Sequence, residues 1–241
     1  PPGFQGLLED LPLHITHRHL PHWHQPGATY FVTFRFGDAI PIQQQELLRD
    51  LRSDWEKKNP PPRTRHQWEQ LNQLVGRESE KWLDVGFGEC WMRQPEIREL
   101  VANALGYFDL GNETERLSRY ELGAFVLMPN HLHLLVRPFC LEVEGDGFPG
   151  FETALSHVTH SWKRFTSRKI NKLTGGVGSD LWFQESHDRI VRHAEHLWNA
   201  LQYIGKNPRA AGLGEDQAMR WVRPSWQEMG WDFVDSTDEV E

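Results

Sequence analysis

The 241 residues carry 34 acidic side chains against 26 Lys and Arg, for a formal net charge of -8, with 38% hydrophobic and 12% aromatic content. That is apolar mass enough for one elaborated domain with a buried core; no apolar run approaches the ~20 residues of a membrane span, and the opening PPGFQGLLEDLP lacks the basic start and apolar centre of a secretory signal. Two cysteines, Cys90 and Cys140, stand far apart, which excludes a disulfide framework and a cysteine zinc site. A cytosolic protein is expected, and any metal falls to His, Asn, Gln or carboxylate.

Residues 1–26 are rich in Pro and His without a sustained period and read as an irregular arm. From Tyr30 to Phe36 the side chains alternate, Tyr30, Val32, Phe34 and Phe36 against Phe31, Thr33 and Arg35, with glycines at both ends. This predicts a strand. Ile42–Lys58 has helical spacing and is stopped by Asn59 and three prolines. Arg63–Leu83 is polar with a helical pattern, GFGECWM reads as a short strand or turn, and Pro95 opens a helix with Ile97, Val101, Ala104 and Leu105 on one stripe.

Arg119–Val126 and His131–Arg137 predict two strands joined at Met128-Pro129-Asn130, a hairpin. Phe151–Leu173 reads as a helix with Leu155, Val158, Trp162, Phe165 and Ile170 inward and Lys163, Arg164, Arg168 and Lys169 outward. LWFQESHDRIVR follows as a last strand, and HAEHLWNALQYIGKNP as a helix ended by Pro208. The order β, α, α, β, β, α, β, α contains a hairpin and no repeated βαβ unit. It predicts an α+β domain, an antiparallel sheet with helices packed on one face.

The chemistry concentrates in FVLMPNHLHLLVRP. Strand alternation puts His131 and His133 side by side on one surface. Neutral histidines can sit in a sheet and bond to backbone, but both rings need polar partners on an apolar strand, and a metal ion satisfies both at once. A histidine pair is an incomplete site. Tyr203 and Asn207, four apart on a helix, share a face. Asn207 could complete the coordination while the Tyr203 phenol lies beside the metal, an arrangement for phosphoryl transfer with tyrosine as nucleophile. The alternative is that Tyr203 simply packs.

Charge distribution adds a partner. From Ser156 to Arg209 nine Lys or Arg face four acids, whereas the tail from Ala210 has two Arg against eight acids. A basic segment embedded in an acidic chain predicts nucleic-acid contacts through Lys163, Arg164, Arg168 and Lys169, joined by Arg18 of the arm, Arg35 of the first strand and Arg137 of the hairpin.

At these residues the chain resembles a known family. His131-Leu132-His133 is similar to the His-hydrophobic-His motif of HUH endonucleases, and MPNHLHLL with the later YIGKNPRAAGL resembles single-tyrosine transposases. RHLPHWHQPGATYFVTFR, GECWMRQPEI, LSHVTHSWKRFT and WFQESHDRIVR match in order, and the similarity is to REP-associated tyrosine transposases over about residues 18–213. The resemblance implies a ferredoxin-like HUH fold over residues 27–213, between the arm 1–26 and an acidic, Trp-rich tail 214–241. It implies Mg²⁺- or Mn²⁺-dependent cleavage of single-stranded DNA at palindromic hairpins, leaving a 5′-phosphotyrosine and a free 3′-OH. Tyr203 would be the nucleophile, His131 and His133 the metal ligands and Asn207 a third. A cytoplasmic, nucleoid-associated monomer or homodimer follows from the same resemblance. The stretch 54–84 departs from the compact pattern and reads as an insertion that leaves the catalytic positions untouched.

Other features have plainer readings. The arm histidines, His14 to His24, suit DNA contact better than a metal site; His157 with His160 and His193 with His196 suit exposed or capping positions. Glu185 and Asp188 are expected to pair with Arg189 and Arg192, and Trp162 to join the core. Two rival functions are a zinc hydrolase using the histidine pair, and a DNA-hairpin-binding protein that does not cut.

Overall fold

The structure, a computed structural model, describes residues 1–11, 13–17, 21–111, 117–139, 151–176 and 180–234. Among the described residues, seven strands and six α-helices form: β1 (His14–His17), β2 (Pro21–His24), β3 (Tyr30–Arg35), α1 (Ile42–Lys58), α2 (Arg65–Asp84), α3 (Pro95–Gly106), β4 (Tyr120–Leu127), β5 (His131–Pro138), α4 (Phe151–Thr174), β6 (His187–Ile190), α5 (Ala194–Ala210), β7 (Met219–Val222) and α6 (Pro224–Gln227). Local chemistry sets several boundaries. Thr64 and Gln67 form a reciprocal capping box at the start of α2, Pro95 occupies the first turn of α3, and His193 caps α5 by accepting from His196 N.

Five strands make one antiparallel sheet in the order β6-β3-β5-β4-β7. Leaving out β7, the strands in chain order lie 4-1-3-2, the ferredoxin-like arrangement, so the α+β antiparallel class expected from the sequence is observed, but the helices lie on both faces of the sheet and not on one, since each face carries an apolar patch to cover. The crossover helices α3 and α4 pack together on one face. There Ile97, Val101, Leu105, Leu155, Val158, Trp162 and Ile170 bury Tyr30, Val32, Phe34, Leu132, Leu134 and Val136. The opposite face carries Phe31, Ala124, Val126 and Leu135 and is covered by Leu197, Ala200, Leu201 and Ile204 of α5. Alternation along β5 therefore sends its leucines at 132 and 134 to one core and its histidines toward α5.

A bulge between Leu122 and Ala124 breaks the register of β4. Gly123 is required there: a Cβ on it would lie 2.2 Å from Trp226 Cη2.

Several elements differ from the sequence reading. The arm is not irregular; β1 and β2 pair as a hairpin whose four-residue strands are too short to produce a visible period. The strand expected over LWFQESHDRIVR is only His187–Ile190, with Trp182 making a single bridge to Phe36. GFGECWM holds a 3-10 turn, Trp91–Arg93. Pro208 does not end α5: proline lacks only its own N–H, and the helix runs on to Ala210. Phe165, expected inward, is exposed, because the buried stripe of α4 continues through Thr166, which accepts from Trp182 Nε1 at 2.7 Å. The tail adds β7 to the sheet and buries Trp226. Arg18 and Cys140 lie outside the described residues. No helix among the described residues is long and apolar enough to cross a membrane.

The α3–α4 core has a polar tie at its centre. The Tyr120 hydroxyl donates to Leu105 O (2.8 Å) and accepts from Trp162 Nε1 (3.0 Å) and Phe108 N (3.3 Å), all beneath a fully buried ring. Tyr120→Phe strands the indole N–H and the Leu105 carbonyl, and is expected to lower unfolding free energy by about 1–3 kcal/mol. The measurement is the urea midpoint at unchanged m-value.

Candidate metal centre

In the β3–β5 ladder His133 stands opposite Thr33 and His131 opposite Arg35. Both imidazoles are fully buried, with ring centroids 4.8 Å apart. His131 Nδ1 is 2.8 Å from Asn130 Oδ1, and Asn130 Nδ2 donates to Leu83 O and Phe87 O. Those two donations fix which end of the amide is which. The oxygen faces His131, so Nδ1 carries the hydrogen and Nε2 presents a bare lone pair. Burial, helped by the neighbouring His133 and opposed by Glu80, pulls the His131 pKa down to about 3, so the ring is neutral at physiological pH. Its Nε2 is buried with no partner among the described residues. His133 Nδ1 is held 2.7 Å from the Thr33 hydroxyl, which leaves its Nε2 pointing at the same space.

The third wall is α2. Glu80 Oε2 lies 3.4 Å from His133 Nε2, and the ligand atoms of Glu80, His131 and His133 all fall within 4.8 Å of one another. Burial works against a charge on Glu80, but His133, His131 and the Tyr203 hydroxyl outweigh it and hold its carboxyl well below the usual carboxylate range. The fourth wall is α5. Asn207 is buried with Nδ2 3.5 Å from His133 Nε2 and with Oδ1 unpartnered among the described residues. Tyr203, one turn earlier, is partly exposed. Its hydroxyl donates to Glu80 Oε2 at 2.8 Å and its ring meets His133 edge-on at 5.2 Å. Burial and then the Glu80 charge push its pKa up, so it is a neutral phenol.

Two imidazoles and a carboxylate converge, with the Asn207 amide beside them, and two buried acceptors, His131 Nε2 and Asn207 Oδ1, have no partner among the described residues. A divalent cation fits the two imidazoles and the carboxylate and would satisfy His131 Nε2. The sequence reading brought His131, His133, Tyr203 and Asn207 to one place, and the fold does the same. It missed Glu80 because 54–84 was read as an insertion remote from the site. A signal existed, since Glu80 is an acid in line with Gly76 and Leu83, four before and three after on the inward stripe of α2.

The cations divide. Arg35 lies beside His131, its guanidinium 3.8 Å over the Phe183 ring, its pKa lowered by burial to about 10. Arg189, one strand over, sits 4.7 Å above Phe31, which packs against both Tyr203 and His133. Lys163 donates to Phe183 O and Gln184 O, with its pKa pulled down by burial to about 8. Arg164, Arg168 and Lys169 project from the outer side of α4, across the sheet from the histidines. Arg137 is engaged by Glu121 at 2.6 Å. The expected pairing of Asp188 with Arg189 and Arg192 is replaced: Asp188 contacts His22 at 2.5 Å and Arg192 pairs with Glu69 at 2.6 Å.

Glu80→Gln keeps the size and removes the charge, and should weaken Mn²⁺ binding at least ten-fold while leaving the thermal midpoint near wild type. Asn130→Ala, which frees the His131 tautomer, is expected to weaken it by about 10- to 100-fold. Titration followed by Mn²⁺ electron paramagnetic resonance reads both.

No family model and no curated protein matches the chain. Among solved structures, a REP-associated tyrosine transposase bound to a REP hairpin aligns at 14% identity over 83% of this chain and 76% of that chain, with a TM-score of 0.34. At that TM-score the functional reading rests on the side chains themselves.

Proposed function

We propose that this chain is a metal-dependent single-stranded DNA endonuclease and strand transferase acting at palindromic, REP-like hairpins through Tyr203. The observation that carries the reading is the Tyr203 hydroxyl bonded at 2.8 Å to a carboxylate that also faces the histidine pair. A nucleophile and a proton acceptor at hydrogen-bond distance, beside a site for a cation, is what phosphoryl transfer needs.

His131, His133 and Glu80, with Asn207 beside them, would hold Mg²⁺ or Mn²⁺, oxygen-tolerant ions compatible with two imidazoles. Such an ion supplies charge neutralisation on the phosphate oxygens. The phenol oxygen of Tyr203 attacks the phosphorus and its proton passes to Glu80 Oε2. The bond to the 3′ oxygen breaks, and that oxygen leaves as a 3′-OH by taking the proton back from Glu80. A 5′-phosphotyrosine conserves the ester, so the strand can be passed to another 3′-OH. Arg35 and Arg189 flank this face and suit the phosphates on either side. Arg164, Arg168 and Lys169 would serve only DNA that reaches round to α4.

The two-histidine, one-carboxylate set also suits zinc hydrolysis by activated water. One experiment separates the readings. Labelled hairpin DNA with an unpaired flank, incubated with Mn²⁺, should yield an adduct that survives denaturation, and Tyr203→Phe should abolish adduct and cleavage while retaining DNA binding. Cleavage that persists in the Phe variant, with zinc bound and no adduct, would replace this proposal with the hydrolase. Binding without cleavage under any divalent ion would leave a non-cutting hairpin-binding protein.

A further inference from the structure

Next to the metal centre lies a cavity of about 560 Å³ that the cleavage chemistry does not use, enclosed by α1, α2, the end of β3 and residues 183–187. Pockets for small ligands run from about 300 to 1,000 Å³. Its apolar side is built from Ile40, Leu48, Val75 and Leu83. One wall carries the Arg35 guanidinium, its Cζ 3.8 Å over the centre of the Phe183 ring, and Lys163 pins that wall through the carbonyls of Phe183 and Gln184. Arg49, largely exposed, and Arg52 stand on α1 at the same cavity. His187 also lines it, with its Nε2 buried and without a partner among the described residues. Two residues belong to both places: Glu80 of the metal centre and Thr33, which holds His133.

We infer that this cavity receives an unpaired nucleobase of the strand whose phosphate lies at Tyr203, which rests on the reading of the site as a DNA-cleaving one. A nucleobase is flat, apolar on its faces and polar at its edge, and stacks on an arginine plane as it does on an aromatic ring. The cavity offers that platform, and His187 Nε2 offers a buried polar group for the base edge. At the α1 side Arg52 is held by Glu56 at 2.9 Å, and the exposed guanidinium of Arg49 suits the phosphate attached to such a base. A fatty chain or apolar peptide would leave His187 Nε2 unanswered. Because Glu80 and Thr33 are shared, a base in the cavity fixes the register of the backbone at the tyrosine, so the cavity would select which phosphodiester is presented.

Equilibrium binding of a hairpin oligonucleotide, with each unpaired flanking nucleotide replaced in turn by an abasic site, tests this in the full chain. In the wild type one abasic position should weaken binding by about ten-fold, the scale of one lost base stack. Val75→Phe, which fills the cavity, and Phe183→Ala, which removes the platform, should bind the intact oligonucleotide about ten-fold more weakly and show no further loss with the abasic one. Mn²⁺ affinity and thermal midpoint, measured on the same variants, should stay near wild type and exclude misfolding. Equal sensitivity to every abasic position in the wild type, or variants that keep the wild-type pattern, would overturn the inference. An abasic signature without any covalent adduct would sink the cleavage reading and leave the base pocket; an adduct without the signature would do the reverse.

Discussion

Two imidazoles buried on an apolar sheet must find polar partners, and the way those partners are supplied ties together elements distant in the chain. Asn130 is the joint. Its carbonyl oxygen orients His131, while its amide nitrogen donates to Leu83 O in the last turn of α2 and to Phe87 O just past it. The same bond set that fixes the tautomer therefore fixes the helix that carries Glu80. Thr33 does the equivalent for His133 from the neighbouring strand. Pre-formed geometry of this kind lowers the ordering cost of binding a cation.

The sheet assigns its two faces different tasks. One packs against α3 and α4 in a wide apolar core with aromatic rings stacked around Trp162 and Trp182. The other has a narrower apolar patch under α5 and gives the remaining area to the histidines, Thr33, Arg35 and Arg189. Alternation along β3, β5 and β6 makes this possible without any extra element, since one strand serves both purposes by parity. The Gly123 bulge lets β4 exchange its parity partway, so that Leu122 and Phe125 share one core while Ala124 and Val126 enter the other.

Features set by short-range pattern were legible in the sequence. The β4–β5 hairpin, the parity of His131 and His133 and the one-turn spacing of Tyr203 and Asn207 all follow from periods of 2 and 3.6. Features set by partners far along the chain were not. Glu80 lies about 50 residues from the histidines, and its polar helix resembles any solvated one until the sheet is placed beneath it. Asp188 finds His22 and Arg192 finds Glu69, choices between equally plausible opposite charges that only the fold decides. The arm and the tail were read as appendages because strands of four residues leave no periodicity to see.

Both rims of the main sheet end in four-residue strands, β6 on one side and β7 on the other. Past β7, Trp226 packs against Gly123 of β4, and its indole N–H donates to Pro2 O, so residues near the two ends of the described chain meet there. Short rims offer little unpaired ladder for another chain to extend. Self-association by continuing the sheet is accordingly disfavoured, which keeps the molecule from fibrillar or edge-swapped assembly despite a strongly apolar interior.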